Sequence, residues 1–235
     1  MSGHSKWAQI HRQKGVADTK RGAVFTKLGN AITAAAKSGG GDPDANFKLR
    51  LAIDQAKASN LPKDNIERAI KRGTGELGGG TIETVVYEGF GPAGTAIIIE
   101  GLTDNRNRTS SSIKHLLSKY GGSLGGPNSV SWLFIQKGVL RVKEISDELE
   151  LDLIDAGALD IVREDGGATI YTVPNDLKKI KDFLELQKIS VDYAEVEQVA
   201  KEKKALNDEE AQNLQKLFGE LDNDEDVSNY YTNAE

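Results

Sequence analysis

Nine residues, RGTGELGGG at 72–80, contain five glycines and divide the chain where its hydrophobic period changes. Glycine leaves the backbone free and packs no core, so this run is expected to be a hinge between domains. Before it, apolar residues recur at helical spacing. Val24, Phe25, Leu28, Ile32 and Ala35 predict a helix over 17–38, stopped by the glycines at 39–41. Asp42 as N-cap, with Pro43 in the first turn, opens a second helix to about Ser59 with Phe47, Leu51 and Ala58 on its apolar side. Pro62 opens a third, with Ile66, Ala69 and Ile70 as its stripe and Gly73 as its stop. Short loops between three short helices make a small bundle.

After the glycines the pattern is that of strands. TIETVVYEG and TAIIIEGL, joined by FGPAG, read as a hairpin. A helix over 109–120 follows, carrying Ile113, Leu116, Leu117 and Tyr120, and then a GGSLGGPN loop. SVSWLFI and GVLRV read as two strands, followed by a helix at 145–156, strands at 159–164 and 168–173, a helix at 175–187 and a strand in SVDYAEVEQV. Strand–helix–strand–strand–helix–strand from 131 to 199 fits a ferredoxin-like unit. A helix at 207–219 and the strand DVSNYYT close the chain, and the earlier hairpin is the natural partner for that strand. The expected architecture is multidomain α+β: a basic arm and helical domain at 1–75, an α+β domain at 80–130 plus 204–235, and an inserted ferredoxin-like domain at 131–203.

Charge separates the same regions. Residues 1–75 carry 14 Lys+Arg against 6 Asp+Glu, a net of +8, while 76–235 carry 16 against 30, a net of −14. A basic module on an acidic body suggests a nucleic-acid-facing element. In the first 27 residues Lys6, Arg12, Lys14, Lys20, Arg21 and Lys27 face a single acid, Asp18. Phosphate backbones attract such runs by counterion release, and Trp7 or His11 can stack on a base. The plainer reading is a solvated tail. The third helix is less telling, because Asp64–Arg68 and Glu67–Lys71 are favourable i,i+4 pairs that account for half its cations; Lys63 and Arg72 are left over.

TDNRNRTSSSIKH at 103–115 joins a strand to a helix and sets Arg106 and Arg108 at the helix's positive end. A carboxylate (Asp104, Glu88 or Glu100) would compensate structurally; a phosphate would do so functionally. Asn105, Asn107 and Thr109 can cap the helix either way, so 105–109 is a candidate anion site. EGFGPAGT lacks the Gly-Lys-Ser/Thr end of a phosphate loop. The three histidines have no metal-ligand spacing, and the chain has no cysteine. No catalytic constellation, metal site or cofactor is expected. Neither a secretory signal nor an apolar run of about 20 residues is present, which with the absence of cysteine suggests a cytoplasmic protein away from membranes; a monomer is expected.

Several strings in one order resemble the YebC/PmpR-like family: GHSKWAQI, KRGAVFTKL, GGGDPDANFKLR, IERAIKRG, YEGFGPAGTAIIIE, TDNRNRT, GGSLG, SVSWLF, KGV and DVSNYYTN. HRQKG stands where the family has a more uniformly Lys/Arg-rich stretch. The resemblance covers nearly the whole chain and implies a helical domain followed by an α+β domain with a ferredoxin-like insertion. It implies a regulator of gene expression with no established catalytic residues. Many members are named as transcriptional regulators and taken to bind DNA. A mitochondrial relative is a translational activator, and bacterial members are linked to stalled ribosomes. The partners expected are therefore DNA, ribosomal RNA or tRNA, and the ribosome. The acidic body favours RNA met at one point of a crowded particle over bare DNA.

Overall fold

A computed structural model describes residues 21–77, 82–164 and 167–235. The arm at 1–20 and the glycines at 78–80 lie outside the described residues, so neither the arm nor that part of the hinge is characterised. Among the described residues there are seven α-helices and two four-stranded antiparallel sheets. The fold class is α+β. Two compact units emerge: Phe134–Lys201, and the described residues up to Leu133 together with Glu202–Glu235. The helical bundle and the first sheet thus share one unit.

In that unit α1 (Arg21–Gly39), α2 (Phe47–Ala58) and α3 (Lys63–Gly73) pack around Ile32, Leu49, Ile53, Leu61 and Ile66. Two expectations need correction. The N-cap of α2 is Asn46, not Asp42; Asp42 instead closes a turn by accepting the Asp44 N–H at 2.9 Å. Asn46 is buried. It accepts the Leu49 N–H and donates to the Ala35 and Gly40 carbonyls at 2.8 and 2.9 Å, so one side chain starts α2 and finishes α1. The buried face of α2 is Leu49, Ile53 and Ala56, not Phe47, Leu51 and Ala58. The helix is apolar on both stripes, and packing against α1 selects one.

The hairpin forms as β1 (Glu83–Phe90) and β2 (Ala96–Thr103), in register from Glu83↔Thr103 to Phe90↔Ala96. Next come α4 (Arg106–Lys119) and β3 (Ser123–Leu124), a short strand on β1 within the expected loop. At the far end, α7 (Asp208–Asn223) leads into β8 (Val227–Thr232), which pairs with β2 and gives the order β3-β1-β2-β8. The core joins Ile97 and Ile99 to Ile113 and Leu117 of α4 and to Leu214, Leu217 and Leu221 of α7.

Phe134–Lys201 contains β4 (Phe134–Val142), α5 (Asp147–Ala156), β5 (Asp160–Glu164), β6 (Gly167–Thr172), α6 (Leu177–Leu186) and β7 (Val191–Ala200). The strand order β5-β6-β4-β7, all antiparallel, is ferredoxin-like. The expected pair of strands at 129–142 is one nine-residue strand preceded by a short 3-10 turn at Ser131–Leu133. Gly138 does not break it. A β-carbon there would run into the Thr172 hydroxyl and Leu177, so the glycine permits close packing on α6.

Candidate functional site

The third helix is held against α1 along its second half. The buried Thr33 hydroxyl lies 3.1 Å from the Ala69 carbonyl, and Gly73 approaches α1 so closely that a β-carbon would strike the Thr33 carbonyl and Ala36. Ile66 and Ala69 therefore face inward, while Arg68, Lys71 and Arg72 are exposed. The i,i+4 pairs expected from the sequence do not form. Glu67 instead meets Lys63 at 3.5 Å, and among the described residues Arg68, Lys71 and Arg72 have no carboxylate within ion-pair distance. An exposed pair gains only a few tenths of a kcal/mol, comparable with the rotamer freedom it gives up, so such pairs are easily left unmade. The negative end of the helix dipole favours these cations electrostatically, although the Ile70, Lys71 and Arg72 carbonyls accept the N–H groups of Thr74, Glu76 and Gly75.

Of the arm residues singled out in the sequence, Lys6, Trp7, His11, Arg12, Lys14 and Lys20 lie outside the described residues. Arg21 opens α1. Lys27 donates its ammonium to the Leu221 carbonyl at 3.2 Å, in the last turn of α7. It ties α1 to α7.

A groove of about 450 Å³ runs between α1 and the corner that follows β2. Thr26, Asn30 and Arg72 line one part, and Asp104, Asp224, Glu225 and Asp226 line another. Arg108 lines it as well, and four carboxylates against two arginines make it a poor host for a phosphate. Arg72 borders it from the exposed basic end of α3, with Arg68 and Lys71 exposed outside its lining.

The Arg106–Thr109 stretch sits at this corner. Asn105 is the N-cap of α4 and accepts the Arg108 N–H at 3.1 Å. Arg108 forks onto Asp226, with Nη2 at 2.8 and 2.9 Å from the two carboxylate oxygens and Nε at 3.1 Å from Oδ2. Its Nη2 also lies 3.1 Å from Asp104. The Thr109 hydroxyl, fully buried, donates to Asp226 at 2.8 Å and lies 2.9 Å from the Thr103 hydroxyl. Asp224 accepts from Ser112 at 2.6 Å and from the Asp226 N–H at 3.0 Å. The hydrogen bonds and charge of Asp226, with Asp104 adding, hold the Arg108 guanidinium above its ordinary range. Arg106 is different. It is exposed, and among the described residues it has no carboxylate partner. Its backbone carbonyl accepts the Tyr87 hydroxyl at 3.2 Å. Burial pushes that hydroxyl up, the Arg106 charge opposes the rise, and Asp226 adds to it. Asn107 is exposed.

Two of the three carboxylates considered for this loop are used elsewhere. Glu88 accepts the backbone N–H groups of Asn128, Val130 and Ser131 at 2.8–2.9 Å, fixing the glycine-rich loop. Glu100 lies 3.4 Å from the Tyr231 hydroxyl. The principal partner, Asp226, stands 118 residues away in sequence, in the acidic stretch DNDEDVSN, where nothing local names Arg108 as its partner. Among the described residues no group of three His, Cys, Asp or Glu could hold a metal ion, and no helix is long and apolar enough to cross a membrane.

Two family profiles match this chain, "TACO1/YebC protein N-terminal domain" over residues 5–76 and "TACO1/YebC second and third domain" over 82–234. The chain belongs to the TACO1/YebC family. A "probable transcriptional regulatory protein" of Thermoanaerobacter pseudethanolicus is 48% identical over 239 residues, spanning 100% of this chain and 97% of the relative. One of Dehalococcoides mccartyi with the same description is 48% identical over 238 residues, spanning 100% and 95%. The crystal structure of a conserved hypothetical protein from Aquifex aeolicus superposes with a TM-score of 0.88 at 41% identity, covering 98% of this chain and 97% of that one. The boundary between the two family profiles falls in the glycine run that parts helical from strand-forming sequence.

Proposed function

We propose that this protein is a non-enzymatic, nucleic-acid-binding regulator of gene expression, that its N-terminal basic module at 1–75 is the contact surface, and that its ligand is RNA on the ribosome. The observation that carries this reading is the end of α3. Arg68, Lys71 and Arg72 are exposed together with no carboxylate within ion-pair distance among the described residues, on the module whose net charge is +8. Cations left unpaired on one surface are the electrostatic footprint of a phosphate ligand. They give the module a basic surface of fixed geometry. The net of −14 over the rest of the chain opposes lying along bare duplex DNA and suits a particle on which protein surfaces surround a point of RNA contact. The names of the relatives favour transcription as the process, so duplex DNA is the competing ligand.

An enzyme acting on a phosphate-bearing substrate at Arg106 and Arg108 is disfavoured. Arg108 is committed to Asp226 and Asp104. The shifted groups there, Arg108 and Tyr87, both move further from neutrality, opposite to what proton transfer at pH 7 requires.

Binding to single-stranded RNA, ribosomal RNA and duplex DNA over a range of salt concentrations tests the reading. Each phosphate contact contributes about 0.7–0.9 to the slope of log affinity against log salt. The R68Q/K71Q/R72Q variant should flatten that slope by roughly 2–3, with tighter binding to RNA than to duplex DNA at equal salt. An unchanged slope removes the end of α3 from the interface. Tighter binding to duplex DNA moves the protein to transcription.

A further inference from the structure

The ferredoxin-like unit carries an acidic helix with exposed apolar side chains. Five of the ten residues of α5, DELELDLIDA, are acidic and none is basic. Its inner face is buried through Leu149 and Leu153. Its outer face is not polar throughout: Leu151 is 66% exposed and Ile154 51%, and Leu159, just past the Gly157 C-cap, is 59% exposed. At 100° per residue, Leu151 lies opposite the buried stripe, with Ile154 on one side of it and Glu148 and Asp155 on the other. Two acids of the helix are neutralised at home, since Arg163 of β5 bridges Asp147 and Glu150. Glu148, Asp152 and Asp155 have no cationic partner among the described residues. Helix and cap are well formed: the Ser146 hydroxyl accepts the Leu149 N–H at 3.1 Å, and Gly157 closes the C-terminus in the left-handed conformation.

We infer that the outer face of α5 is a docking site for a basic amphipathic segment of a partner protein, whose apolar residues cover Leu151, Ile154 and Leu159 and whose lysines or arginines meet Glu148, Asp152 and Asp155. Charge complementarity selects this occupant. Leu151 and Ile154, exposed on one side of the helix, with Leu159 exposed just past its end, mark an interaction surface, and the unneutralised carboxylates beside them repel nucleic acid, acidic protein and a second α5 alike. A helix that presents leucines between acids is read by a partner of opposite charge carrying its own apolar anchors.

The full chain is titrated with three synthetic 18-residue peptides at physiological salt: an amphipathic Lys/Leu helix, a Lys/Ser peptide of equal charge and a Glu/Leu helix. Amide chemical shifts report the footprint. The Lys/Leu helix should perturb residues 148–159 and bind at least tenfold more tightly than either of the others. L151Q/I154Q/L159Q should weaken it at least tenfold. These side chains are exposed, so the variant keeps its fold, which its circular dichroism checks. E148Q/D152N/D155N should weaken it and reduce its salt dependence. The inference is overturned if the footprint lies elsewhere, if the triple apolar variant binds as well as the parent, or if either control peptide binds as tightly. It is also overturned if sedimentation shows a homodimer abolished by L151Q/I154Q/L159Q, because the occupant is then a second copy.

Discussion

Replacing Arg108 with alanine separates a structural role for the Arg106–Thr109 corner from a ligand-binding one. The two partners of the ion pair are unequally buried: the Asp226 side chain is 13% exposed and that of Arg108 54%. Removing the arginine leaves a nearly buried carboxylate with one side-chain donor among the described residues, the Thr109 hydroxyl, and with Asp104 and Asp224 in the same corner. Stranding a buried charge costs about 3–5 kcal/mol, and a half-exposed partner that water can partly replace lowers this to roughly 2 kcal/mol. Removing the carboxylate instead, as Asp226→Asn, leaves a guanidinium that water and Asp104 can satisfy, and should cost about 1 kcal/mol. Arg108→Ala combined with Asp226→Asn should then be less destabilised than the sum of the two, because no unpaired charge is left behind. For a chain of this size 2 kcal/mol corresponds to about 4–8 °C in Tm. Urea unfolding followed by circular dichroism at pH 7 measures all three variants. A loss below about 0.5 kcal/mol for Arg108→Ala, or a fall in RNA affinity with stability unchanged, would falsify the structural assignment and return the corner to anion binding.

Two further perturbations test how the site is supported. Burial alone would raise the Glu88 carboxyl, but the N–H donors of Asn128, Val130 and Ser131 and the Ser131 hydroxyl outweigh it and hold the group below its ordinary value of 4.5. A depressed folded pKa means that its contribution is fully present above about pH 4.5 and is lost as pH falls through the folded value. Glu88→Gln should therefore be less stable than the parent at pH 7, and the difference should shrink below pH 4; equal stability at neutral pH would dismiss the loop clasp. Gly73→Ala gains helix propensity but forces a β-carbon against the Thr33 carbonyl and to 2.7 Å from Ala36, so a net loss of about 1–2 kcal/mol is expected. A neutral or stabilising result in thermal unfolding would show that α3 can lift from α1 without cost.

Much of this protein follows from local pattern alone. The helical period of residues 24–35, the alternation in TIETVVYEG and TAIIIEGL, and the element order from 131 to 199 are properties of neighbouring residues, and neighbouring residues decide which regular structure buries their apolar side chains. The return of DVSNYYT to the hairpin follows as well, because a final strand needs an edge and β2 has one free. Three features belong to the tertiary structure. The second helix has two apolar stripes, and only contact with α1 buries Leu49, Ile53 and Ala56 rather than Phe47, Leu51 and Ala58. The pairs Asp64–Arg68 and Glu67–Lys71 have favourable spacing yet stay open, because a few tenths of a kcal/mol cannot dictate geometry on an exposed helix. Arg108 needs an anion wherever it stands, but which one depends on where β8 begins, and that start is set by the pairing of β8 with β2 and the packing of α7. Local preference is a sum over neighbours; a partner 118 residues distant is chosen by the whole core.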